Sequence, residues 1–204
     1  MKRIITLVIL ALVFIAGTGT LVFVPVKEKE EMKAGSLKVV AAPAQEQAME
    51  HPYFKVEAFE PVIPSGTNVA LTAKVTANNM GAGFVPKKAI DDKLTTYYEG
   101  APGEFPNELT LDLKDVYSVH AVKLLLCPDA VWAKRVQTIE ILAGTEEGAL
   151  KTVVAKADYE FDPKTGNERV IEFPAENMRF VMIRFYANTG AVGGQAAEVR
   201  IYAD

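Results

Sequence analysis

The chain holds a single cysteine, Cys127, among 204 residues. No intramolecular disulfide can form, and the thiol at the end of the apolar run Val122–Cys127 reads as a small buried hydrophobe. Only two histidines, His51 and His120, stand beside it as soft ligands. That is a poor basis for a tetrahedral zinc site. Basic residues are not clustered, and the net charge is -4 with the two signs interspersed. Nucleic acid would need a basic face, and strong attraction to anionic lipid a positive surface, so neither is expected as a partner. Catalytic constellations are also missing. Ser118 and His120 flank one residue on a strand, which is not the convergent geometry of a nucleophile and its base. The pairs Asp91-Asp92 and Glu146-Glu147 are adjacent in sequence, whereas a glycosidase needs two carboxyl groups across a cleft. The glycines of Gly190–Gly194 have neither a following lysine nor a strand–helix context, so they are no phosphate loop. No catalytic residue is therefore expected, and an enzyme is not.

Half of the residues are hydrophobic, enough for one domain of roughly 100–150 residues and a shorter appendage. The appendage is at the start. Lys2 and Arg3 precede an uncharged run from Ile4 to Val24, about 20 residues, the length of a membrane-crossing helix. A basic start before an apolar stretch is also the pattern of a secretory signal. The small residues Ala16, Gly17 and Gly19 offer cleavage points, while Leu21-Val22-Phe23-Val24 extends the apolar run beyond them. Residues 1–24 are thus expected to be a signal-anchor or a cleaved signal peptide. In either case Lys2 and Arg3 stay inside and the body is exported, anchored at the extracytoplasmic face by residues 4–24 if uncleaved. Residues 25–66 change character, with the charge run Lys27–Glu31, Ala41-Ala42-Pro43-Ala44, and Pro61, Pro64, Ser65 and Gly66. They read as an extended linker. Within them Tyr53–Ile63 carries Phe54, Val56 and Phe59, which suit a loose spacer, an extra strand packed on the domain or a partner-binding segment.

Residues 67–204 carry period-two alternation. Leu109, Leu111 and Leu113 alternate with Thr110 and Asp112, and Ile139 and Ile141 with Thr138 and Glu140. Val181, Ile183 and Phe185 interleave with Phe180, Met182 and Arg184, giving one partly wet face. Val199 and Ile201 alternate with Arg200 and Tyr202. Turn residues separate these runs at Gly81-Ala82-Gly83, Pro102-Gly103, Pro163–Asn167 and Gly190–Gly194. A helical period is confined to Lys87–Asp92. Short strands with such spacing predict an all-β antiparallel sandwich.

The order of these features resembles the discoidin, or coagulation-factor type C, domains. Asn68–Leu71 with Val75-Thr76-Ala77 looks like their opening strand. Ala89–Tyr98 is similar to their alanine, aspartate-glycine, threonine and tryptophan pattern. Leu109–Leu113, the turn Ala143–Gly148, Met178–Ile183 and the closing Ala197–Tyr202 follow in the family order. The resemblance covers about Thr67–Ala203. Asp92 stands where the family has glycine, and Tyr98 where it has tryptophan. The cysteine pair of many animal members is missing, which brings the chain nearer the family 32 carbohydrate-binding modules. The resemblance implies a galactose-binding-like jelly-roll sandwich.

It also implies a structural Ca2+, held by the side chains of Asp91, Thr96 and Glu198 and by the carbonyls of Lys88, Lys93 and Ala197. Calcium takes six to eight oxygens, many from a tight loop, which suits Lys88–Thr96. Asp91 and Thr96 are equally compatible with an ordinary turn and strand. The family's ligand loops map to Asn78–Pro86, Cys127–Arg135 and Asn188–Gln195. Phe84, Trp132, Arg135 and Asn188 are the expected ligand contacts, because sugars take an aromatic face beside a few polar partners. Trp132 is also compatible with covering the open end of the core. The implied function is a non-catalytic, exported module that binds carbohydrate at the cell surface. The alternative is a membrane-anchored assembly subunit whose sandwich docks a protein of a larger complex.

Overall fold

The computed structural model describes residues 58–204. The run Ile4–Val24, the charge run, His51 and Tyr53–Val56 lie outside the described residues. Among the described residues no helix is long and apolar enough to cross a membrane.

Nine strands follow: β1 (Thr67–Asn68), β2 (Lys74–Ala77), β3 (Tyr98–Glu99), β4 (Asn107–Leu125), β5 (Arg135–Gly144), β6 (Lys151–Phe161), β7 (Glu168–Asn188), β8 (Gln195–Ala196) and β9 (Glu198–Ala203). Every pairing is antiparallel. The hydrogen-bonded order is β1-β9-β4-β7-β5-β6, with β2 on β4 and a separate β3–β8 pair. The helical period over Lys87–Asp92 corresponds to a single 3-10 turn, Pro86–Ile90.

Two very long strands serve both layers of the sandwich. The β4–β7 register breaks between Asp112 and Tyr117, where Lys114 has φ +78° and donates its N–H to Asp112 Oδ1 at 2.9 Å. A bulge of this kind bends a strand and increases its twist. Before the break β4 pairs with β2, and after it with β9. Likewise only the later part of β7 pairs with β5. One layer is therefore β2, early β4, late β7, β5 and β6. The other is β1, β9, late β4 and early β7.

Alternation decides the facing. Leu109, Leu111, Leu113, Ile139, Ile141, Val181, Ile183 and Phe185 point inward from the first layer and are buried. Val119, Val122, Leu124, Ile171, Val199 and Ile201 meet them from the second. Each fully buried aliphatic side chain contributes roughly 1.5–3 kcal/mol. The outer face of the first layer carries the complementary charges. Arg184 lies between Glu108 and Glu140 at 2.7 and 3.3 Å, and Arg179 meets Asp112 at 2.7 Å. Cys127 is buried.

Residues ahead of β1 pack on the outer face of the second layer. Lys123 is only 1% exposed and pairs with the buried Glu168 at 2.7 Å. Val62 completes the arrangement, with its N–H donating to Glu168 Oε1 at 2.9 Å and its carbonyl accepting from Lys123 Nζ at 2.6 Å. Phe59 rests on Gly166, whose φ of +70° and missing Cβ leave room for the ring. While Val62 and Ile63 are 62% and 71% exposed, packing on the domain describes the Phe59 ring and the Val62 backbone. It does so through side chains reading a backbone rather than through a sheet ladder.

Candidate functional site

The loops after β2, β3 and β7 close together at one end of the sandwich. The N–H of Gly100 bonds the carbonyl of Gly194 at 2.9 Å, Gly103 bonds Val192 at 2.9 Å, and Gly81 bonds Glu99 at 2.9 Å. Buried amides hold this end in place. Asn107 donates to Asn79 Oδ1 at 2.8 Å and accepts from the Gly194 N–H at 2.7 Å. Gln137 and Gln195 bond each other reciprocally, side chain to backbone, at 3.0 and 2.8 Å. Asn167, buried with φ +53°, donates to the carbonyls of Cys127 and Trp132 at 2.8 and 3.1 Å, which fixes the loop between β4 and β5.

Three aromatic rings line up on this frame. Phe84 stacks on Tyr97 with centroids 4.7 Å apart, and Tyr97 meets Trp132 edge-on at 4.6 Å. The Arg135 guanidinium lies over the Trp132 ring at 4.8 Å. Its Nη1 donates to Gln195 Oε1 at 2.7 Å and its Nε to the Ala133 carbonyl at 3.0 Å. Gly190 abuts the same side chain, where a Cβ would come 2.8–2.9 Å from Arg135 Nε, Cβ and Cδ. Gln195 in turn donates to Glu99 Oε2 at 2.8 Å. Burial lowers the Arg135 pKa from its usual value, against the opposing pull of Glu99.

Phe84, Trp132 and Arg135 thus come together, and Asn188 joins them through Gln195, its Nδ2 lying 3.3 Å from both Gln137 Oε1 and the Gln195 Oε1 that Arg135 binds. The same Nδ2 donates to the Gly193 carbonyl at 2.9 Å, and the Asn188 Oδ1 accepts from the Gly190 N–H at 2.9 Å. Tyr97, which joins Phe84 to Trp132, was absent from the expected contacts. Tyr97 immediately precedes β3, whose first residue Tyr98 is fully buried, while Tyr97 itself is half-buried. Trp132 packs against the core while remaining partly exposed. Around the rings stand exposed apolar tips, among them Val131 at 80% and Val192 at 59% exposure.

A second cluster lies beside β9. Thr96 donates its hydroxyl to Asp91 at 2.7–2.9 Å, and the Lys93 carbonyl is 3.4 Å from the same hydroxyl. Glu198 is wholly buried and accepts the Asp92 N–H on Oε1 at 2.7 Å, while its Oε2 has no partner. Burial pushes its pKa up to about 7, although the Asp92 and Lys93 N–H groups pull the other way. Among the described residues no three carboxylate, imidazole or thiol side chains gather as a metal cluster. This cradle has two carboxylates, and its other oxygens are hydroxyl and carbonyl. An orphaned, desolvated carboxylate oxygen beside that oxygen set fits a hard cation such as calcium. Lys88 lies in the adjoining 3-10 turn, and the buried Ala197 directly precedes Glu198. Asp92 turns outward to Arg200 at 3.5 Å. Its φ of +60° is the left-handed conformation that glycine adopts freely, and aspartate is one of the few other residues to accept it.

His120 sits at the opposite end, 3.4 Å from the Ser65 hydroxyl and 3.8 Å from Asp204. The profile of the F5/8 type C domain matches residues 72–199. The chain belongs to the F5/8 type C domain family. No curated protein matches it. Solved structures share the fold. A family 32 carbohydrate-binding module of AlyQ, in complex with 4,5-unsaturated mannuronic acid, is 24% identical with a TM-score of 0.54, over 63% of this chain and 93% of that one. A family 32 module from Clostridium perfringens, in complex with GalNAc-β-1,3-galactose, is 19% identical with a TM-score of 0.58, over 67% and 100%. A chitosan-binding module from a chitosanase/glucanase of Paenibacillus is 23% identical with a TM-score of 0.53, over 67% and 99%. Phe59 to Ile63 lie ahead of the segment that the family profile matches.

Proposed function

We propose that this F5/8 type C domain is a non-catalytic module that binds carbohydrate through Phe84, Tyr97, Trp132 and Arg135. The observation that carries the reading is the continuous run of three rings ending under a fixed guanidinium. Pyranose rings offer C–H faces to aromatic rings and hydroxyls to hydrogen-bond donors, and this arrangement supplies both. The sugar complexes of the family 32 modules that share the fold support it. A glycan array probed with the full chain and with Trp132→Ala tests it. The expected result is a set of hits lost in the variant. An array without hits overturns it.

The domain works outside the membrane, exported and anchored by residues 4–24. Calcium bound at Asp91, Thr96 and Glu198, with the carbonyls of Lys88, Lys93 and Ala197, supplies charge compensation that ties the 91–96 loop to β9. The bare tips Val131 and Val192 favour a second reading, in which the same end docks a protein of a membrane complex. In that case Val131→Ser loses the partner and leaves sugar binding intact.

A further inference from the structure

We infer that the sugar taken at the loop end carries an acidic group, and that Arg135 is the residue that selects it. This rests on the carbohydrate-binding reading and narrows it to one class of ligand.

Two cations are buried among the described residues, Lys123 and Arg135. Lys123 meets a buried carboxylate, Glu168, at 2.7 Å. Arg135 is 8% exposed, yet it takes part in none of the ion pairs among the described residues. Both of its acceptors are neutral, the Ala133 carbonyl and the Gln195 carboxamide. Its Nη2 has no acceptor among the described residues. A desolvated charge left with neutral partners is costly, and folds pair such groups unless a ligand does so.

The surroundings keep the cation available. Trp132 lies under the guanidinium and Gly190 abuts the Arg135 stem, so the side chain is held before any ligand arrives. A planar guanidinium whose Nη2 has no acceptor among the described residues suits a carboxylate, sulfate or phosphate oxygen. Glu99 pulls on Arg135 across space but makes no ion pair with it, its hydrogen bond going to Gln195 instead. Lys134 is already occupied by Glu160 and Asp162, at 2.9 and 3.9 Å. Lys88, 5.9 Å from the Phe84 ring, adds positive charge at the far end of the aromatic run.

The test is a panel of matched glycans bound by the full chain, each acidic member beside its neutral counterpart. Oligogalacturonate is paired with its methyl ester, sialylated with desialylated lactosamine, and sulfated with desulfated galactosides. Charged hydrogen bonds of this kind are worth about ten-fold or more in affinity. The acidic members should therefore bind at least about ten-fold more tightly. Arg135→Gln, checked for an unchanged fold by circular dichroism, should bring them down to the neutral level. Arg135→Lys should recover only part of the preference. Equal binding of acidic and neutral partners by the natural chain overturns the acid inference and leaves sugar binding standing. No binding anywhere on the panel, with binding to phosphatidylserine vesicles instead, overturns both. The comparison on the natural chain needs no variant, so a misfolded Arg135→Gln does not spoil it.

Discussion

Lys123→Met removes one half of a buried pair that also holds the chain ahead of β1. In the natural chain Lys123 is 1% exposed and Glu168 nearly as buried, with 2.7 Å between them. Loss of the lysine leaves Glu168 Oε2 desolvated without a counter-charge and frees the Val62 carbonyl. Breaking such a pair from one side costs about 3–5 kcal/mol. For a domain of this size that corresponds to a fall of roughly 10 °C in Tm. Replacing both residues, Lys123→Met with Glu168→Leu, leaves no buried charge. Its remaining cost is the two hydrogen bonds to Val62, about 1 kcal/mol each. Urea unfolding of the natural chain, the two single variants and the double variant gives the complete cycle. The double variant should be more stable than either single one, and chymotrypsin should cut after Phe59 sooner in all three variants. Single effects that simply add up in the double variant would refute the buried-pair account.

Glu198 has its pKa raised from 4.5 to about 7. Its stabilising contribution is fully present below about 4.5 and is lost as pH rises through about 7. Chelated protein should therefore lose up to a few kcal/mol between pH 5 and 8, at about 1.4 kcal/mol per pKa unit. Calcium should remove that loss, as should Glu198→Gln, and a flat or rising melting curve in chelator contradicts the prediction. Asp112, held down to about 2 by Arg179, titrates below this window. Asp91→Ala should abolish any calcium-dependent rise in Tm while Asp92→Ala leaves it, because only Asp92 points away from the cradle; differential scanning fluorimetry decides. Trp132→Ala should cost about 2 kcal/mol in urea unfolding, less than a fully buried tryptophan because the ring is only partly covered. A cost above about 4 kcal/mol would assign the ring to the core alone.

The layers were legible wherever one face of a strand is wet. Leu109, Leu111 and Leu113 alternate with Thr110 and Asp112, and the structure buries the first set. The bend of β4 was not legible, because Lys114 adopts φ +78° where nothing in its side chain calls for it. The packing of Val62 left one clue, a lysine in the apolar run Val122–Cys127. A lysine there needs a partner, but Glu168 lies far along the chain and only pairing of β4 with β7 brings it close. At the loop end Trp132 and Arg135 stand out as a lone tryptophan beside a cation. Asn188 does so as a polar loop residue, and its atoms hold the Gly190–Gly193 turn and reach Gln137 and Gln195. Residue type alone does not tell an amide that faces a ligand from one that shapes a loop.

Trp132 is the only tryptophan in the chain and stands in the proposed site, so its fluorescence reports on that site alone. Titrating the full chain with the tightest glycan from the array, while following tryptophan emission, tests carbohydrate binding at Phe84, Tyr97, Trp132 and Arg135 most directly. The account predicts a saturable change in emission whose midpoint equals the Kd measured by calorimetry on the same glycan. Calorimetric binding with unchanged Trp132 emission would place the sugar elsewhere and contradict it.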